Sequence, residues 1–226
     1  MDQERKDRID FLERHMSTKR LEKLKSVLAS RTRKLTVVLE NLYHPENGNA
    51  VMRSVECFGL QEMHVIQELY DWKYSLKIAR GAAKWTELNH YGAENGGAAA
   101  CYGALRERGF QLVVTDPQPG SCTAEHLALN KPVALIFGTE STGVHPDTLA
   151  MADARIHIPM VGFTESFNIS VSAGILLAQL RLRLEREQPD WQLEAADAEA
   201  LYENWILKSV RYSDALERAR NVGRVR

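Results

Sequence analysis

The sequence is poor in the features that would place it quickly. Its 226 residues include only three cysteines, Cys57, Cys101 and Cys122, with no C-x-x-C spacing among them, so neither a disulfide framework nor a zinc site is suggested. No apolar run approaches the roughly 20 residues of a membrane span. The opening "MDQERKDRID" is too charged for a signal peptide, and a cytoplasmic protein with no membrane partner is expected. Neither G-x-G-x-x-G nor a Walker A sequence occurs, which leaves dinucleotide binding and nucleotide hydrolysis without support. There is no internal repeat and no low-complexity segment. Net charge is nearly absent as well, at −1.

That small net charge hides a division. Residues 1–34 carry eleven Lys/Arg against six Asp/Glu, and residues 206–226 carry six against two, while the stretch between them is acidic. Basic ends on an acidic middle are a plausible footprint for RNA phosphates. They are also what solvated helix faces look like. With 44% apolar and 26% charged residues, the chain can bury a sizeable core as one domain with helical appendages.

Short runs of Val, Ile and Leu alternate with helical patterns. "KLTVVLENL", "EMHVI", "QLVVTD", "VALIFG" and "RIHIPM" read as strands, several buried on both faces. Helices are predicted near Asn49 to Phe58, Gly97 to Arg108, Pro146 to Met151 and Asn168 to Glu187. This order implies an α/β domain with a mostly parallel sheet and helices on both faces. A charged helical region, Arg5 to Ser30, precedes it, and further helices from Leu193 to Arg220 come after a break at Pro189. The division expected is a basic extension over 1–34, a core over 35–187 and a second extension over 188–226.

Ligands of open α/β sheets collect at the carboxyl ends of strands, and three such loops stand out. "GTESTG" has Gly138 and Gly143 five residues apart, permitting close approach of a flat ligand to the backbone, or simply a turn; Glu140 within it could hold a ligand or cap the next turn. In "IPMVGFTESFNISVSAGILL" either Ser166 or Asn168 can cap the next helix. Capping needs one residue, and Ser166, Asn168, Ser170 and Ser172 exceed that need. In "NGNAVMRSVECFGL", Asn49, Arg53 and Glu56 share a helix face, so Arg53 either pairs with Glu56 on the surface or faces the ligand loops.

Together the three loops resemble the motifs of the SpoU branch of the SPOUT RNA methyltransferases. "NGNAVMRS" matches N-x-x-A-x-x-R-[ST], "FGTESTGV" matches G-x-E-x-x-G, and the stretch from Ile158 matches I-P-M-x-G-x-x-x-S-[LF]-N-[VI]-S-V-[AS]. The resemblance covers roughly Leu35 to Glu187. It implies a trefoil knot near the C-terminal end of the core, a homodimer with its active site at the interface, and S-adenosylmethionine as methyl donor without a metal. Carried over by motif, backbone at Thr115, Gly138, Ile158 and Phe167 would hold the cofactor. Arg53 would be the catalytic arginine, with Asn47, Glu140, Ser166 and Asn168 around it. "RTRKLTVVLENLYHPEN", "GAAKWTELNHY" and the basic terminal helices are most similar to members that methylate guanosine 18 of tRNA, which assigns Lys19, Arg20, Lys23 and Lys25 to RNA. One departure is "FTESF", where relatives usually have Gln before the Ser and Leu after it.

A ribose 2'-OH is a weak nucleophile until its proton is removed or strongly hydrogen-bonded. A guanidinium keeps its proton at neutral pH, so Arg53 is better suited to orient the ribose and stabilise the developing alkoxide than to act as a base. Ribosomal RNA as substrate, or a catalytically silent RNA-binding dimer, are the competing readings. A small-molecule enzyme would need a catalytic dyad that the sequence does not offer.

Overall fold

The computed structural model describes residues 3–70, 81–118, 120–139 and 142–210. Two compact units divide the chain, Thr32–Trp191 and a second made of Met1–Arg31 with Gln192–Arg226. No helix among the described residues is long and apolar enough to cross a membrane.

The larger unit is a seven-stranded sheet. Its strands are β1 (Leu35–Glu40), β2 (Glu62–Gln67), β3 (Glu87–Gly92), β4 (Gln111–Thr115), β5 (Cys122–Thr123), β6 (Val133–Phe137) and β7 (Ala154–His157). They lie in the order β3-β2-β1-β6-β4-β7-β5, with parallel pairing throughout. Five of the seven are the apolar runs. The sequence pattern does not reveal β3 and β5, because "ELNHYG" has no Val or Ile and β5 has only two residues. Both are edge strands, held by one neighbour each.

Alternation along the strands sorts side chains to two faces. Val37, Leu39, Met63, Val65, Leu135 and Phe137 pack with helices α3 (Pro45–Cys57) and α6 (Ile169–Glu187). On the other face Val38, Ile66, Leu112, Val114, Ala134 and Ile136 meet α4 (Gly97–Glu107), and Leu149 of α5 (Pro146–Met151) joins them. The result is the three-layer arrangement expected of parallel strands buried on both sides.

At the amino-terminal edge of the sheet, charges are tied together. The Arg33 guanidinium holds both oxygens of Glu87 at 2.6 and 2.7 Å and reaches Glu62 at 3.4 Å. Arg108 makes a two-pronged contact with the buried Glu62, one prong at 3.1 Å. Next to them His64 is buried with no hydrogen-bond partner on either ring nitrogen. Burial holds its pKa down at about 4, with Arg108 and Arg33 acting in the same direction against Glu62.

The second unit contains α1 (Gln3–Glu13), α2 (Thr18–Leu28) and α7 (Ala195–Ser209). Ser17 caps α2 by accepting from the Arg20 amide, as a short hydroxyl at that position should. Phe11, Leu12, Leu24, Leu201, Trp205 and Ile206 are among its buried apolar residues. Arg5 and Arg8 share Glu203 at 2.6 and 3.0 Å, and Arg31 stacks on the Trp205 ring.

Candidate active site

The loops after β4, β6 and β7 enclose a cleft of about 620 Å³ at the carboxyl edge of the sheet. Parallel strands bring successive loops to one edge, so residues far apart in the chain converge here. Thr115, Gly138, Ile158 and Phe167, the four backbone positions expected to hold a cofactor, all line it, and so do Ser166 and Asn168.

The loop after β6 is drawn tight. Thr139 and Gly143 exchange backbone hydrogen bonds at 2.9 and 3.0 Å, and Gly143 has φ +72. A Cβ at Gly138 would fall 2.1 Å from the Gly143 carbonyl and 2.2 Å from the Val144 nitrogen. Only glycine fits at 138, since the obstacle is backbone and cannot swing aside. Glu140 lies outside the described residues.

The loop after β7 contrasts with it. Among the described residues no backbone hydrogen bond involves positions 159–167, and the side chains of Val161 and Phe163 are fully exposed, at 104% and 109%. It ends at Asn168, which caps α6: its Oδ1 accepts from the Ser170 amide at 2.9 Å and from the Ser170 hydroxyl at 2.6 Å. That cap fixes the orientation of the side-chain amide, because the oxygen must face the helix. The Nδ2 group is thereby turned to Asn47, donating to its Oδ1 at 3.0 Å. One residue thus terminates the loop, starts the helix and ties the loop to the first turn of α3. Asn168 both caps the helix and lines the cleft.

Arg53 lies on α3 about 9 Å along the axis from Asn47, six residues at the usual helical rise. It is exposed, does not line the cleft and makes no ion pair among the described residues. The surface pair with Glu56 is not formed. Asn49 does not share its environment either: it is buried, its amide bonded to the Pro45 carbonyl at 2.7 Å. Four apolar or small neighbours, Gly48, Val51, Met52 and Val55, pull that side of α3 onto the core.

Two carboxylates in the cleft wall, Asp116 and Glu165, escape a reading by motif, and among the described residues no Lys or Arg lines it. Asp116 is paired with Arg155 at 3.1 Å; Glu165 has no such partner among the described residues. His157 also lines the cleft, its Nδ1 2.9 Å from the Ser121 hydroxyl. That hydroxyl spends its proton on the Gln118 carbonyl at 2.8 Å, so Nδ1 is the donor. Among the described residues no group of three or more His, Cys, Asp or Glu could hold a metal ion.

Residues 34–178 match the SpoU rRNA methylase family. The chain belongs to this family. The match runs from the start of β1 into α6, so it spans every loop of the cleft. Over 219 residues the chain is 32% identical to a tRNA (guanosine(18)-2'-O)-methyltransferase of Borreliella burgdorferi, covering 96% of this chain and 99% of the relative. A protein of the same name from Aquifex aeolicus is 30% identical over 200 residues, covering 88% and 92%. The crystal structure of an A. aeolicus TrmH/SpoU tRNA modifying enzyme superposes with a TM-score of 0.74 at 27% identity, covering 85% of this chain and 98% of that one. As a SpoU family member, the chain carries its three motifs on α3, on the β6 loop and on the loop that Asn168 closes.

On α2, Lys19, Arg20 and Lys23 are exposed. Lys25 turns elsewhere, 3.5 Å from Glu13 and over the Tyr202 ring. The basic residues after Val210 lie outside the described residues.

Proposed function

We propose that the protein transfers a methyl group from S-adenosylmethionine to the ribose 2'-OH of guanosine 18 in tRNA, in the cytoplasm. Two of the family's loops converge on one cleft and the third motif is joined to it through the Asn47–Asn168 contact; this carries the reading, in a chain that matches a guanosine 18 methyltransferase along nearly its whole length. The lining chemistry fits the donor. S-adenosylmethionine carries a sulfonium and an ammonium, and a wall with Glu165 and, among the described residues, no Lys or Arg favours such a cation over a phosphate-bearing nucleotide. Bound there, the cofactor supplies an activated methyl group.

The chain's own residues supply position. Backbone at Thr115, Gly138, Ile158 and Phe167 would hold the cofactor, with the turn packed on Gly138 shaping one wall. Asn47 and Asn168, joined by their amides, stand with Ser166 around the acceptor ribose, a role that the motif alone assigns to Glu140 as well. Arg53, exposed and uncommitted, is available to the ribose and its phosphate, where it orients the 2'-OH and stabilises the alkoxide as the proton leaves.

A homodimer and the knotted threading of the C-terminal part of the core belong to the same proposal. Supporting the dimer, α6 has a second apolar stripe, Val171, Ile175, Ala178 and Leu182, in addition to the one it buries. With Val161, Phe163 and Phe167 exposed beside its start, this is a surface of the kind that oligomers cover. Lys19, Arg20, Lys23 and Lys25 are assigned to tRNA phosphates. Replacing all four by Ala should flatten the salt dependence of tRNA binding by up to about 0.9 log units for each phosphate no longer neutralised; an unchanged slope removes them from the interface.

Calorimetry with S-adenosylmethionine, then transfer of labelled methyl to tRNA or ribosomal RNA, tests the reading. Binding and label in tRNA are expected. Label confined to ribosomal RNA overturns the substrate, binding without label favours a silent binder, and no heat overturns the assignment.

A further inference from the structure

Glu40, the last residue of β1, is a buried carboxylate outside the three loop motifs. It points to the α4 face of the sheet, where three donors meet it. Tyr102 of α4 donates its hydroxyl to Oε2, Thr148 of α5 donates to the same oxygen at 2.7 Å, and the backbone N–H of His145 donates to Oε1 at 2.8 Å. Burial and the adjacent Glu40 raise the Tyr102 pKa, so the phenol keeps its proton and donates. A carboxylate only accepts, and here it accepts from two helices and a loop.

The third contact has consequences for the cleft. Register pairs Leu39 of β1 with Phe137 of β6, which sets Glu40 level with the start of the β6 loop. His145 ends that loop, and Val144 just before it is the backbone against which Gly138 is pressed. Glycines 138 and 143 make the turn possible but do not hold it, since a glycine has more backbone freedom than any other residue. Loop hydrogen bonds close the turn on itself, between Thr139 and Gly143. Its far end is fastened to the sheet by the buried Val144 side chain, which packs with Val38 and Ile136, and by the polar contact from the His145 N–H to Glu40.

We propose that Glu40 is a positioning residue for the cofactor cleft: by holding the His145 N–H it fixes Gly143 and Val144, the backbone on which Gly138 packs, against the sheet. It touches no ligand itself. The consequence for affinity rests on the S-adenosylmethionine reading above, whereas the tether does not.

Proline at 145 removes the donor together with the imidazole, and holds Val144 in extended backbone. His145 has φ −58, which proline adopts without strain, and Glu40, Tyr102 and Thr148 remain in place. His145→Ala is the control, because it loses the same exposed imidazole, with its long cap contact to Asp147 at 3.3 Å, and keeps the N–H. Two readouts on the full chain are needed: hydrogen exchange of the 138–144 segment without cofactor, and the Kd for S-adenosylmethionine. His145→Pro should speed exchange and raise Kd by about tenfold or more, the worth of one hydrogen bond to a charged group. His145→Ala should leave both near wild type. If His145→Pro does not fold, Glu40→Met against Glu40→Gln asks the same question, since the Gln oxygen can still accept from His145 while the two hydroxyls rotate to accept from its NH₂. Equal exchange and equal Kd across either pair overturn the proposal. Faster exchange with no cofactor binding by any variant or the wild type would uphold the tether and overturn the cofactor reading instead.

Discussion

The two edges of the sheet use polar residues in opposite ways. At the amino-terminal edge Glu62, Glu87, Arg33 and Arg108 satisfy one another across β2, β3 and the segments leading into β1 and β4. On the carboxyl side, among the described residues, Asp116 pairs with Arg155 but Glu165 has no ion partner, the loop between Ile158 and Asn168 makes no backbone hydrogen bonds of its own, and Arg53, farther along α3, is likewise exposed without an ion partner. The first edge has spent its charges on stability. The second leaves Glu165 and Arg53 unpaired among the described residues, as the proposed binding and methyl transfer would require.

The sharpest way to break this comparison is Arg53. If it is held for the reaction, Arg53→Ala should lower kcat/KM by on the order of a hundredfold, a transition-state contact of roughly 3 kcal/mol. Arg53→Lys, which keeps charge but loses the planar fork, should fall by at least about tenfold. Both should melt near the wild-type temperature, since the side chain is exposed and makes no ion pair among the described residues. Near-normal turnover in Arg53→Ala would make it a surface residue.

Glu62→Ala should behave in the reverse sense. Removing a buried carboxylate that two guanidiniums share should cost about 2 to 3 kcal/mol by urea denaturation. That is below the figure for a fully buried pair, because Arg33 and Arg108 can return partly to water. Cofactor affinity should not change. A weakened cofactor site in Glu62→Ala would show that the two edges are coupled.

The buried His64 gives the smallest effect and a pH signature. Its folded pKa of about 4 lies below the ordinary 6.5, so between those values the unfolded chain binds the extra proton. Stability is therefore full above pH 6.5 and declines as the pH falls towards 4, by about 2 kcal/mol at pH 5. His64→Gln should remove that part of the difference between urea midpoints at pH 7.5 and pH 5. An identical pH dependence in the variant would contradict it.

Much of the core was legible in the sequence, and the reason is physical. Strands buried on both faces leave continuous apolar runs, and loops at the carboxyl edge advertise themselves by Gly, Ser and Asn where a turn needs fewer. The edge strand Glu87–Gly92 left no such trace, since its stability comes from pairing with β2 and not from its composition. Glu40 was invisible for a different reason: its partners stand 62, 105 and 108 residues away, and a glutamate ending a strand looks like the start of a solvated loop. The same holds for Asp116, whose partner Arg155 is 39 residues on. Sequence pattern reports periodicity and local chemistry, whereas pairing across a fold appears only once the strands are ordered.

Methylation of one ribose is the claim on which the rest depends. An unmodified tRNA transcript with guanosine at position 18, incubated with the protein and S-adenosylmethionine, should give an alkaline hydrolysis ladder with a single gap, because a methylated 2'-OH cannot attack its own phosphodiester. The gap is expected at guanosine 18 and should be absent with Arg53→Ala. A continuous ladder, or a gap at another nucleotide, would contradict the assignment.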